Sequence, residues 1–224
     1  MNTKKYGPWI VALMIIAPFV YAALIFPQLP SEIPTHFNIN GKADAWGGPS
    51  SIFLGPGIMG AVSVFTYILM TNLKTFDAKK YDQANDQLYG NFALLTVAFL
   101  SILSTIIIYS STHADQINVG KLILPLVGLS FAGIGWYMPK FKQNYFVGFK
   151  LPWTLESETN WNETHKVAST YWIYGGLFQA VVTLILPMKF GLIGFMLATA
   201  VMVIVPAVFS YRMFKNGNQI NNPN

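Results

Sequence analysis

The chain has 224 residues, of which 53% are hydrophobic and only 10% are charged. Soluble domains carry about 25% charged residues, so a chain this poor in charge cannot cover a water-facing surface, and it reads as a polytopic membrane protein. Cysteine is absent, which excludes disulfides, thiolate nucleophiles, Cys-ligated zinc and iron–sulfur clusters. The net charge of +5 fits the lysines and arginines that collect in cytoplasmic loops, not direct nucleic-acid binding.

Six apolar segments follow in order, roughly Tyr6–Leu29, Ser51–Leu73, Leu88–Ser111, Lys121–Pro139, Val167–Met188 and Phe190–Tyr211. Each has about the 20 residues that cross a bilayer core as a helix. Lys4 and Lys5 precede the first, whose apolar run is too long for a secretory h-region and has no A-x-A site after it, so it reads as an uncleaved span. With the N-terminus inside, eleven of the fourteen basic residues fall on the cytoplasmic side, and only Lys42, Lys121 and Lys189 outside. The expected fold is therefore all-α, with six transmembrane helices and both termini cytoplasmic. The expected division is a two-helix membrane domain over 1–80 and a four-helix membrane domain over 81–224.

No Asp, Glu, Lys, Arg or His lies deep in a span, which argues against ion-coupled transport and against an intramembrane metalloprotease. Gln179 is the main deep polar residue, and an interhelical hydrogen bond of about 1 kcal/mol is preferred to a substrate contact. Gly55, Gly57, Gly60, Gly128, Gly133 and Gly135 suggest close helix packing, and Pro56 a bend at the start of the second span. The last two spans are separated by almost nothing around Lys189, so they form an antiparallel hairpin.

Two connections are unusual. The first (residues 30–50) is outside and contains turn signals at Asn40-Gly41 and Gly47-Gly48-Pro49. His36, Phe37, Asn38, Gly41, Asp44 and Trp46 form its candidate ligand- or peptide-binding set. His36 and Asp44 also suit an acid–base or metal pair, but two ligands do not specify a metal site, and an ordered loop with Trp46 on the interface accounts for the same residues.

The second (residues 140–166) is inside. Asn160 with Glu163 suggests an N-terminal helix cap, and Trp161, His165, Ala168 and Trp172 then share one helical face. Phe146–Lys150 is expected in the interface plane, with Lys150 toward anionic headgroups and Trp153 after Pro152 as a rigid anchor. Docking against the bundle and binding a partner are both open for this segment. In this topology His36 and His165 lie on opposite sides of the membrane and cannot share a metal or a catalytic dyad.

The run NYFVGFKLPWTLESETNWNETHK resembles the signature of the SdpI family, roughly N-x-x-h-G-h-R-x-P-W-T-L followed by W-x-x-T-H. Asn144, Gly148, Pro152, Trp153, Thr154, Leu155, Trp161, Thr164 and His165 match it. Lys150 stands where the family commonly has Arg, without the planar fork that makes bidentate contacts. The first connection resembles the I-P-x-H-F-N-x-x-G-x-x-D motif of a small membrane domain often found N-terminal to that family, at Ile33, Pro34, His36, Phe37, Asn38, Gly41 and Asp44. The resemblance implies a non-enzymatic immunity or signalling protein of a bacterial cytoplasmic membrane, with no cofactor. It would meet a toxic peptide on the outer face and a regulator protein in the cytoplasm, the set Asn144, Gly148, Lys150, Pro152, Trp153, Thr154, Leu155, Trp161, Thr164 and His165 being partner-binding or structural.

Overall fold

The computed structural model describes residues 3–76, 86–114 and 116–221. Most of the polar connection read at 74–87 thus lies outside the described residues. The elements are α1 (Thr3–Ile25), β1 (Ile33–Phe37), β2 (Ala43–Gly47), α2 (Leu54–Thr71), α3 (Leu73–Phe76), α4 (Asp86–Thr112), α5 (Gly120–Tyr137), α6 (Pro152–Glu156), α7 (Glu158–Ile185) and α8 (Met188–Asn221), with short 3-10 turns at Phe26–Gln28, Pro49–Phe53 and Met138–Lys140. The protein is a mostly helical, multi-pass membrane protein. A two-stranded antiparallel hairpin is added to the expected all-helical fold.

Among the described residues, five helical segments are long and apolar enough to cross a membrane: Tyr6–Gln28, Pro49–Thr71, Asp86–Thr112, Gly120–Lys140 and Met188–Asn216. The expected fifth span lies in α7, which is 28 residues long but begins with the polar run ETNWNETHK. Beyond it, tyrosines, threonines, glycines and Gln179 dilute the apolar stretch.

The helices expose large apolar side chains that a soluble bundle would bury. On α1, Trp9, Leu13, Ile16, Val20 and Leu24 repeat at helical spacing and are all exposed. The interior takes small and polar side chains, including Ser63, Ser104, Ser169, Thr183 and Ser210, beside apolar ones such as Val97, Ile108 and Met202. That is the pattern expected when the surrounding solvent is as apolar as leucine and helices associate through close contact and interhelical hydrogen bonds.

Two compact units are distinguished: Met1–Asn72 with Asp86–Leu126 and Pro187–Lys189, and Leu73–Asn85 with Val127–Leu186 and Phe190–Asn224. In the first, α4 packs with α1 and α2. Val11, Leu94 and Val97 form one cluster, with Met14 and Tyr67 against it. Ala22, Ile33, Ile52 and Ile108 form another, which seats the base of the β-hairpin. Pro18 has no N–H, so the Met14 carbonyl four residues earlier lacks its helical donor. Ser101 of α4 supplies one, its hydroxyl donating to Met14 O at 2.6 Å.

In the second unit, α7 and α8 form the expected antiparallel hairpin, joined through Leu186 and Pro187. Lys189, expected at the centre of the turn, lies in the first turn of α8. Gln179 is fully buried and donates Nε2 to Phe195 O at 3.0 Å and to Thr199 Oγ1 at 2.7 Å. These are the interhelical bonds preferred for it in the sequence reading. Pro206 repeats the device of Pro18: the Met202 carbonyl accepts from Trp172 Nε1 at 3.0 Å. The glycines differ in what a Cβ would meet. A Cβ on Gly176 would come 2.4 Å from Gly128 O, and one on Gly128 would come 2.7 Å from Gly176 O, so α5 and α7 meet backbone to backbone. A Cβ on Gly57 would meet nothing within 4 Å.

Gly176→Ala is therefore expected to destabilise the purified protein by roughly 1–3 kcal/mol through overpacking. Gly57→Ala should leave it unchanged or slightly more stable, since alanine is the better helix former by up to about 1 kcal/mol. Thermal unfolding in detergent checks the contrast, and equal midpoints for the two variants would contradict the close crossing.

Candidate functional site

The first candidate site is the β-hairpin. Ile33 faces Gly47, Pro34 faces Trp46 and Phe37 faces Ala43, while His36 is displaced to pair with Ala45. The regular register would set His36 opposite Asp44, and despite the irregularity their side chains meet, with His36 Nδ1 2.5 Å from Asp44 Oδ1. Both are open to solvent, at 69% and 41% of side-chain exposure. An exposed pair of this kind adds little stability; its effect is to orient the imidazole. Among the described residues no cluster of three or more His, Asp or Glu is placed to hold a metal.

Asn38 shapes the turn. Its Oδ1 accepts from Asn40 N at 2.9 Å and Lys42 N at 3.2 Å, and its backbone N–H donates to Lys42 O at 2.8 Å. Gly41 closes the turn at φ 74°, a conformation that favours glycine. A Cβ there would also lie 2.3 Å from Asn118 Oδ1, and Asn118 Nδ2 donates to Asn40 O at 3.0 Å. The tip of the hairpin is thus tied to the connection between α4 and α5. Phe37 is half-buried, and Trp46 stands 57% exposed. The signal for the hairpin was in the sequence: Asn-Gly between two β-compatible runs.

The second candidate site runs from Met138 to the first turns of α7. The cap of α7 is Ser157, whose side chain accepts from Asn160 N. Asn160, expected as the cap, is three residues inside the helix. Its carboxamide is better used there: Nδ2 donates to Ser210 O at 3.0 Å, and Oδ1 accepts from Thr164 Oγ1 at 3.0 Å and from Ser210 Oγ at 2.6 Å. Ser210 Oγ in turn accepts from Trp153 Nε1 at 2.8 Å. Trp153 therefore anchors α6 to α8, with its ring against Tyr211 and Phe214. Ser210 went unremarked in the sequence, because a lone serine in an apolar span carries no spacing signal.

His165 and Trp161 have no exposure, and their rings stack with centroids 4.1 Å apart. Trp161 Nε1 donates to Phe141 O at 2.8 Å. His165 Nδ1 lies 2.7 Å from Trp161 O, and Nε2 accepts from Phe149 N at 3.0 Å. These partners require a neutral ring protonated on Nδ1. Gly148 sits at φ 118°, and a Cβ on it would fall 2.2 Å from His165 Nε2, so the glycine admits the imidazole. Asn144 is buried and organises the 142–147 loop, accepting from Phe146 N and Val147 N and donating to Lys142 O and Val147 O. Pro152 opens α6, and Thr154 accepts from Leu151 N at 2.9 Å and contacts Phe149 O at 2.7 Å. Gln143 closes the arrangement by donating to Thr154 O at 2.6 Å. Leu155 is half-buried, while Lys150 is exposed, its ammonium 3.2 Å from Phe146 O.

Of the motif residues, Asn144, Lys150, Thr154, Trp161 and His165 thus bond backbone groups of this same segment. Residues 140–211 match the SdpI/YfhL protein family. Residues 13–60, which hold the β-hairpin, match a domain of unknown function, DUF1648. The chain is 27% identical over 210 residues to the immunity protein SdpI of Bacillus subtilis (strain 168), covering 93% of this chain and 97% of the relative. No solved structure matches it. The SdpI-type resemblance read from the two motifs is borne out, and the relative is named as an immunity protein.

Burial holds the His165 pKa below its usual value, partly opposed by the bond to the Trp161 carbonyl. The neutral ring is the folded form, so its contribution to stability is complete above the unfolded value of about 6.5. It is lost as pH falls from there through the lower folded value, because a protonated Nε2 cannot accept from Phe149. Unfolding of the purified protein should become easier below pH of about 6.5, and His165→Gln should flatten that slope. A wild-type profile as flat as the variant's would contradict the assignment.

Proposed function

We propose that this protein is a non-enzymatic immunity protein of a bacterial cytoplasmic membrane, protecting its host from a secreted, membrane-active toxic peptide. The observation that carries the reading is the end-to-end similarity to a protein named for immunity, which includes both motif-bearing segments. The β-hairpin is the peptide contact. It holds His36 and Trp46 exposed on a frame fixed by Asn38, Gly41 and Asn118, so binding would not require the loop to be ordered first. Signalling to a cytoplasmic regulator is the second part of the reading. Such a partner would meet exposed side chains such as Lys150, because Trp161, Thr164 and His165 are buried.

The proposed topology has six spans, the fifth in chain order being the apolar part of α7 from Val167, with both termini cytoplasmic. The basic residues support it, eleven of fourteen falling on the inner side.

Expressed in a sensitive bacterium, the protein should raise tolerance to at least one of a panel of secreted toxic peptides, while the double variant His36→Ala/Trp46→Ala should lose most of the protection at equal membrane abundance. Tolerance no better than that of vector controls across the panel would rule out immunity, and full protection by the variant would remove the hairpin as the contact. Reporter fusions after Asn38 and after Asn160 should report opposite sides of the membrane. The same side for both would overturn the six-span arrangement.

A further inference from the structure

Within the first unit, a cavity of about 10 Å³ lies where α1, α2 and α4 meet beside Pro18. That is about the space one water needs. Its wall is mostly apolar, Met14 and Met59 included, and no ionisable side chain lines it. Three hydroxyls interrupt the apolar wall: Ser63 from α2, and Ser101 and Ser104 from α4. Ser101 spends its proton on Met14 O, so its oxygen has only lone pairs left to offer. Ser63 is buried, at 2% exposure. Ser104 is 1% exposed, and its Oγ has no hydrogen-bond partner among the described residues. An unpaired hydroxyl this deep in a helix bundle is costly. A water that reaches two to four polar groups removes that cost. Three neutral hydroxyls are too few oxygens for a calcium or magnesium ion and carry no charge to balance one. They do match the donors and acceptors of a water.

We propose that Ser63, Ser101 and Ser104 hold one buried water that ties α1, α2 and α4 together. The water donates to Ser101 Oγ and accepts from the hydroxyls of Ser63 and Ser104. Ser101 already reaches the Met14 carbonyl, so the water links the α1 chain at Pro18 to α2 as well as to α4. The inference is independent of immunity, since it requires only the packing of these three helices.

The test begins with the sign of one substitution, read by thermal unfolding in detergent. Ser104→Ala removes a bond if the water is held, and removes an unpaired hydroxyl if the cavity is dry. It should lower the unfolding midpoint by roughly 2–6 °C, and Ser63→Ala should lower it as well. Ser110 is the comparison, because its Oγ is also buried without a partner but does not line this cavity. Ser110→Ala should leave the midpoint unchanged or raise it. A second measurement reads the water directly. Radicals formed from a held water by X-ray radiolysis oxidise adjacent methionines to sulfoxides. Met14 and Met59 should gain sulfoxide in the wild type and severalfold less in Ser104→Val, whose second methyl group fills the space. If Ser104→Val does not fold, the sign of Ser104→Ala decides by itself. An unchanged or raised midpoint in Ser104→Ala, the same fall in Ser110→Ala, or equal methionine oxidation in wild type and folded Ser104→Val would overturn the proposal.

Discussion

Met14 and Met202 each precede a proline by four residues, and each carbonyl has therefore lost the N–H that a helix would give it. In water such a carbonyl would be hydrated. In an apolar surrounding it must find a protein donor or remain at a cost of several kcal/mol. Ser101 answers for Met14 and Trp172 for Met202, each from a neighbouring helix. A bend in one helix thereby becomes a fixed contact with another. Placing backbone polar groups where water does not reach governs most of what is specific in this fold.

The same constraint explains the segment before α7. It is irregular backbone folded against helices, so its N–H and C=O groups cannot be left to solvent. Asn144, Thr154 and His165 each serve backbone groups directly. Trp161 extends the pattern by donating to Phe141 O. Asn160, Ser210, Trp153 and Thr164 form a connected set that ties α6, α7 and α8 together. The motif thus has a physical content separate from any partner: it encodes one backbone path. The hairpin of the first unit uses the opposite economy. Its turn is satisfied internally by Asn38 and secured by Asn118, which leaves His36 and Trp46 uncommitted to the core.

Close backbone approach is the second consequence of an apolar solvent. Without a hydrophobic force between helices, association depends on contact distance, and glycine permits the shortest. Gly128 and Gly176 show this across α5 and α7, whereas Gly57 occupies open space. Both kinds look alike in a list of glycines, because the distinction lies in what a Cβ would meet.

The sequence by itself determined the membrane class, five apolar helices of membrane-spanning length and the short α7–α8 turn, because bilayer length and hydropathy are properties of a contiguous segment. It also determined the two motifs and, through Asn40-Gly41, a turn, although reading that turn without pairing its flanks missed β1 and β2. It assigned the interhelical role of Gln179 correctly from residue type and depth alone. Only the tertiary structure decided that Ser157 and not Asn160 caps α7, since the choice turned on Ser210, 50 residues away. Only the tertiary structure showed that Trp161 and His165 face inward, because a stripe on one helix states which side chains go together and not what they go against. The same limit hid the pairing of Ser101 with Met14, which spans 87 residues of sequence. Local rules read a chain along its length, and a donor for an orphaned carbonyl is chosen by proximity in space.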